Sequence, residues 1–124
     1  MLSLTGSLRV FVCAQPADMR RSFDGLCGMV EQIVQEDPLS GHLFVFRNRN
    51  RDRLKILYWD SDGLAIWYKR LEAGTWQLPT DLKTLANGTL SAEITTEELS
   101  LLLGGIDLRT VERRRRYQRS KKSV

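Results

Sequence analysis

Arginine and lysine are the side chains of this sequence whose spacing points most directly to a chemistry. Arg47, Arg49, Arg51, Arg53 and Lys55 recur at alternate positions. Alternate residues of a strand project to one face, so part of this set lines up as a cationic stripe if the segment is extended. Arg49-Asn50-Arg51-Asp52 reads instead as a polar turn, which breaks the alternation and makes Arg49 and Arg51 the most exposed of the set, with Arg47 and Arg53 flanking them. A denser set closes the chain: Arg109, Arg113, Arg114, Arg115, Arg116, Arg119, Lys121 and Lys122. Residues 109–124 hold 8 Lys/Arg against one acid, Glu112, a net of +7, whereas residues 1–108 hold 11 Lys/Arg against 14 Asp/Glu, a net of −3. All the excess basicity therefore lies in the final segment. Such a block repels itself, packs poorly and suits a polyanion, which divides the chain into a domain over 1–108 and a basic tail over 109–124. The plain alternative for the tail is a solvated segment without a partner.

Other chemistries fare less well. Asp18, Asp24, Asp37, Asp52, Asp60, Asp62 and Asp81 are numerous enough for a two-metal phosphodiesterase site. They fall mostly at predicted caps and turns, where Asp is expected for local hydrogen bonding. Asp60 and Asp62 resemble a fragment of a calcium loop, without the later Glu that an EF-hand needs. Cys13 and Cys27 lie on predicted apolar elements and read as core fillers. They cannot supply a four-thiolate zinc site, and His42 is the single histidine, so no metal centre and no cofactor are expected. No glycine-rich phosphate loop is present. Tyr58, Trp59, Trp67, Tyr68 and Trp76 alternate with Lys55, Lys69 and Arg70. This mixture can stack on unpaired bases, but burial within strands is the simpler reading for Trp59 and Trp67.

These side chains need elements to position them. Residues 7–13 read as a short strand stopped by Pro16. Asp18 is placed to cap a helix over Met19–Gln35, in which Met19, Phe23, Leu26, Val30, Ile33 and Val34 form an apolar stripe. Gly25 and Gly28 interrupt it and suggest close approach to a sheet. Asp24 and Asp18 can pair with Arg20 and Arg21 within the helix. Strands are expected at His42–Asn48, Arg53–Trp59 and Leu64–Leu71, joined by Arg49–Asp52 and by Asp60–Gly63, with Gly63 available for a positive φ. Thr75–Leu78 reads as a further short strand, Asn87-Gly88 as a turn and 89–94 as an edge strand. Thr95 and Glu98 have capping-box spacing, so a short helix with Leu99, Leu102 and Leu103 buried should follow and end at Gly104-Gly105. The fold class expected is α+β: an antiparallel meander, one packed N-terminal helix and a short C-terminal helix. Its core should contain Phe23, Leu26, Val30, Phe44, Phe46, Ile56, Leu57, Trp59, Ile66 and Trp67. Leu43–Phe46 and Ile56–Trp59 are apolar on both faces. Either both faces are covered, or one is an interface.

A chain of 124 residues with 42% hydrophobic and 27% charged residues is long enough for one packed domain without disulfides or metal. It has no run of ~18 apolar residues, and Met1–Ala17 lacks the pattern of a signal peptide. A cytoplasmic, reducing location is the expectation.

Four blocks then stand together: Asp18-Met-Arg-Arg-Ser-Phe-Asp-Gly-Leu26; Asp37-Pro-Leu-Ser-Gly-His-Leu-Phe-Val-Phe-Arg-Asn-Arg49; Arg53-Leu-Lys-Ile-Leu-Tyr-Trp-Asp60; and Gly63-Leu-Ala-Ile-Trp-Tyr-Lys-Arg-Leu-Glu72. Over about residues 8–108 they closely resemble the Orf2-like accessory protein, also called TnpB, of the bacterial insertion-sequence-sixty-six class. This is a different protein from the RNA-guided nuclease of the same name. The resemblance implies a small protein encoded beside a separate, larger transposase and a second accessory protein, and needed for efficient transposition. It carries over no catalytic residues. The expected function is therefore a non-catalytic accessory role that engages element DNA, the transposase, or both. Two alternatives stay open: a metal-dependent nuclease or strand-processing enzyme, and a DNA- or RNA-binding regulator of the element.

Overall fold

Leu43-Phe44-Val45-Phe46 can be buried on both faces only inside a sheet with a layer on either side, and that is where it lies. The computed structural model of the chain describes residues 8–78, 90–104, 106–107 and 112–113. Its elements are β1 (Val10–Cys13), α1 (Phe23–Met29) running into a π-helical turn (Val30–Val34), β2 (Leu43–Arg47), β3 (Arg53–Asp60), β4 (Gly63–Arg70), β5 (Ser91–Ile94) and α2 (Thr96–Leu103), followed by a ribbon of β6 (Ile106–Asp107) and β7 (Glu112–Arg113). The main sheet has five strands in the order β4-β3-β2-β1-β5. β2, β3 and β4 form the expected antiparallel meander, and β5 joins β1 antiparallel. The β1–β2 pair is parallel, with Val10, Phe11 and Val12 opposite Leu43, Phe44 and Val45. The α+β class holds with a mixed sheet in place of a wholly antiparallel one. Adjacent strands joined through a helix can run the same way, whereas tight turns force reversal.

One face carries Phe11, Cys13, Phe44, Phe46 and Leu57 under Leu26, Met29, Val30 and Val34 of the helical layer. The other carries Val10, Val12, Leu43, Val45, Leu54 and Ile56 under Leu99 and Leu102 of α2, with Leu71, Trp76 and Leu78 beside them. Both faces are covered.

Several expectations are corrected. The first helix begins at Phe23, not Met19, and its N-cap is Ser22. Asp18 instead takes the backbone N–H of Arg20 at 2.9 Å and holds the Arg20 guanidinium, which closes a local turn ahead of the helix. Phe23, now at the first position of α1, is exposed rather than core. Ile66 and Trp67 are half-buried because β4 is an edge strand, and Trp59, near the end of β3, is half-buried opposite Leu64 of that same edge strand. The largest fully buried side chain is Trp76, in a segment that is not a strand. The backbone N–H of Trp76 donates to the Arg51 carbonyl at 2.7 Å instead of to a ladder. Within the β3–β4 turn the positive φ falls on Ser61 (58°) rather than on Gly63. A methyl group added at Gly28 would meet open space, and one at Gly25 would meet Arg21 Cβ at 3.1 Å, so neither glycine serves approach to the sheet. The capping box of α2 forms as expected, with Glu98 N–H donating to Thr95 Oγ1 at 3.0 Å and Thr95 N–H to Glu98 Oε1 at 2.8 Å. The Asn87-Gly88 turn and the glycine after Gly104 lie outside the described residues.

Candidate nucleic-acid interface

The β2–β3 turn is a pinned structure. Asn48 Oδ1 accepts the Arg53 N–H at 3.0 Å, and its amide donates to Asp52 Oδ1 at 2.7 Å. From outside the turn, Trp76 N–H donates to Arg51 O at 2.7 Å and Leu71 N–H to Asp52 O at 2.8 Å. Segment 71–76 thus straps the turn to the core. Arg51 sits in the left-handed region at φ 65°, a conformation costly for a residue with a Cβ.

A groove of about 610 Å³ opens beside this turn. It lies where β1 and β2, running parallel, both end. Asn48, Arg49, Asn50, Asp52 and Arg53 line one side; Gln15–Met19 and Arg21 line the other, with Met29. Both walls are tied to the sheet. Ala17 N–H donates to Arg47 O at 3.0 Å, and the Lys55 ammonium donates to Met19 O and Arg21 O at 2.7 and 2.8 Å.

The five alternating cations therefore separate into two roles. Arg47 and Lys55 are buried. Arg47 Nη1 donates to Trp76 O at 2.9 Å, and Lys55 also sits 4.7 Å over the Tyr68 ring. They position the turn and the opposite wall. Arg49 and Arg51 are exposed, and their side chains make no hydrogen bond or ion pair among the described residues. Arg53 is half-buried and donates to Tyr68 Oη at 3.2 Å. No common stripe forms, because the turn redirects Arg49 and Arg51 away from the sheet.

Sequence reasoning missed Arg21, which had been read as a partner of helix carboxylates. Arg20 takes Asp18, while Arg21 is exposed on the groove wall. Gly25 is the signal in hindsight: the absent Cβ leaves room for the Arg21 stem. The acids of the groove are already engaged. Hydrogen bonds from the Arg20 side chain, then from its N–H, hold the Asp18 carboxyl down at about 2, and Asp52 accepts from Asn48. The exposed guanidinium groups are left to set the sign of the field.

Among the described residues the remaining candidates do not assemble into a reactive centre; Asp81 lies outside them. His42 Nδ1 accepts the Arg9 N–H at 3.1 Å, and its ring packs edge-on against Phe11. Burial pushes the Cys13 thiol up, and desolvation, then Asp24 and Glu31, push up that of Cys27. Among the described residues no group of three or more His, Cys, Asp or Glu is placed to hold a metal ion, nor is any helix long and apolar enough to cross a membrane. Of the basic tail, Arg113 lies in β7 with its backbone opposite Ile106. Arg109, Arg114, Arg115, Arg116, Arg119, Lys121 and Lys122 lie outside the described residues.

Comparison with known proteins gives a consistent picture. The family described as IS66 Orf2 like protein matches residues 8–113. The uncharacterised protein y4jC of Sinorhizobium fredii (strain NBRC 101917 / NGR234) is 37% identical over 114 residues, covering 92% of this chain and 92% of that one. A second uncharacterised protein of the same strain, y4hO, is 37% identical over 109 residues, covering 88% and 90%. No solved structure matches the chain.

Proposed function

The chain belongs to the IS66 Orf2-like family, and from that premise we propose that it is a non-catalytic accessory factor of transposition that engages DNA directly and assists a separate transposase. Family membership points to a role in the transposition of IS66-class elements, and the family is not a known class of enzyme. The observation that carries DNA contact is the pinned arginine turn. Arg49 and Arg51 are held outward by backbone hydrogen bonds on both sides, next to a polar groove to which Arg21 and Arg53 contribute. A turn backbone fixed before binding leaves only the side chains to be ordered when they meet phosphates, and Arg offers a planar fork suited to phosphate oxygens. Arg47 and Lys55 act under this reading as positioning residues. The tail residues Arg109, Arg113, Arg114, Arg115, Arg116, Arg119, Lys121 and Lys122 would add further phosphate contacts, chiefly through counterion release. Contacts of this kind position a protein on DNA without reading bases, so sequence preference is expected to be small.

Fluorescence anisotropy with a labelled duplex from an element end and an unrelated duplex of equal length tests this reading. Affinity of the full chain should fall linearly with salt on a log–log plot, by about 0.9 per phosphate neutralised. Arg49→Glu/Arg51→Glu should weaken binding and flatten the slope by about 2 at most, with circular dichroism unchanged. Removing residues 109–124, which include β7, should flatten it further while the five-stranded sheet persists. Equal affinities and slopes in all three proteins would remove DNA contact from the proposal, and leave the transposase itself as the partner to assay.

A further inference from the structure

The outer edge of β4 offers a second surface, and its chemistry selects its partner. β4 runs for eight residues, Gly63–Arg70, without proline, and among the described residues no strand pairs with its outer side. The turn Ser61-Asp62 joins Asp60 to Gly63, which are paired. A two-residue hairpin closes on a hydrogen-bonded pair, so counting by two sends the backbone groups of Leu64, Ile66 and Tyr68 outward. Natural edges of this length are usually blunted by proline, a bulge or a covering element. Among the described residues this one has no proline, bulge or covering element, and Leu64, Ile66 and Trp67 stand half-buried along it.

Charge is polarised along the strand. Asp60 and Asp62 lie at its start and Lys69 and Arg70 at its end, all exposed, with Arg70 also ion-paired to the exposed Glu72 at 3.0 Å, a surface pair that an approaching Asp62 can share. The same polarity runs through the molecule. Arg21, Arg49 and Arg53 share the end where β1 and β2 finish, whereas Glu93, paired with Arg9, gathers with Glu97 and Glu98 at the opposite end, where α2 begins. Antiparallel pairing of two β4 edges sets the acidic end of each copy beside the basic end of the other, twice, about a two-fold axis. Parallel pairing would set like ends together.

We infer that the β4 edge is the interface of a two-fold dimer of this chain, a continuous sheet through β4 and its symmetry mate. With the axis at Ile66, Leu64 faces the partner's Tyr68 and Asp62 faces the partner's Arg70. Apolar pairs fill the centre and opposite charges close both ends, each pairing favourable across strands. An interface of one strand edge lies at the small end of specific contacts, so the dimer is concentration-dependent. It rests on no assumption about DNA.

Sedimentation equilibrium of the full chain over a range of concentrations tests the dimer. Wild type should dimerise, more weakly as salt screens the ends. Asp62→Lys and Arg70→Glu should each raise the dissociation constant by about tenfold, since each creates two like-charge pairs. The double variant Asp62→Lys/Arg70→Glu should recover most of that loss, because the pairs re-form with signs exchanged. Ile66→Pro, which removes an outward N–H and no β3–β4 bond, should leave a folded monomer. A wild type that stays monomeric overturns the inference. So does a dimer indifferent to the charge variants, or a double variant no tighter than the singles; the charge variants decide the matter even if Ile66→Pro fails to fold.

Discussion

Arg51 combines a strained backbone with a side chain that has no hydrogen bond or ion pair among the described residues. Strain of this kind persists where surrounding bonds over-determine it and often marks a functional site; here Trp76 N–H and Asn48 O fix the peptide units on either side. Arg51→Gly should therefore leave stability unchanged or raise it by about 1 kcal/mol in urea unfolding, while lowering DNA affinity. A loss of stability instead would mean that the Arg51 side chain does structural work. Asp18 gives a pH-dependent counterpart. Its carboxyl, lowered from an ordinary 3.8 to about 2 by Arg20, stabilises the folded chain while ionised in both states, above about pH 4. That contribution is lost as pH falls through its folded value. Both groups are exposed, so the effect is small. The melting-temperature difference between wild type and Asp18→Asn should shrink as pH falls from 4 towards 2, and a constant difference would show that the ion pair adds nothing.

Each helix and strap shows its own local logic. In α1 the two glycines, similar in sequence, sit in different environments. Gly28 faces open space, so Gly28→Ala should stabilise the protein by roughly 0.5–1 kcal/mol through helix propensity alone. Gly25→Ala should gain less, because the new methyl presses on Arg21 Cβ and Cγ at 3.1 and 3.2 Å, and it should perturb DNA binding through the displaced Arg21. Equal stability gains at the two positions, measured by thermal unfolding, would rule that crowding out. Segment 71–78 is the element that joins core to site. Trp76 is fully buried, packs edge-on at 6.4 Å from Trp67, and bonds the turn through its N–H. Trp76→Ala should cost about 3–5 kcal/mol and loosen the Arg49–Asp52 turn, read as faster amide exchange at Leu71 and at residue 76 itself.

The described residues present a basic end and an acidic end, a division hidden in the net charge of −3 over residues 1–108. Such a field orients an approaching polyanion and raises its encounter rate without adding affinity at every position. Arg49→Glu/Arg51→Glu in the intact element should reduce transposition while soluble protein is retained, since exposed substitutions usually change stability by ~0.5 kcal/mol or less. Undiminished transposition in that double variant would take the turn out of the function.

The residues alone determined the α+β class, the three strands of the meander, the capping box of α2 and the exposure of Arg49 and Arg51. Each depends on neighbours within a few positions: alternation, a turn dipeptide, a Thr three residues before a Glu. Family membership was legible for the same reason, through contiguous blocks. Tertiary structure alone decided the rest. Nothing local distinguishes Arg47 and Lys55 from Arg49; their burial depends on carbonyls supplied by Trp76 and by residues 19 and 21, distant in the chain. Asp18 reads as a helix cap until Arg20 claims it, and Trp76 reads as a strand residue until its N–H finds Arg51. The parallel β1–β2 pair, and with it the groove at their shared end, follows from strand order, which no local pattern encodes. Propensity and periodicity act over one or two turns of chain, whereas a site is made where distant segments satisfy one another's polar groups.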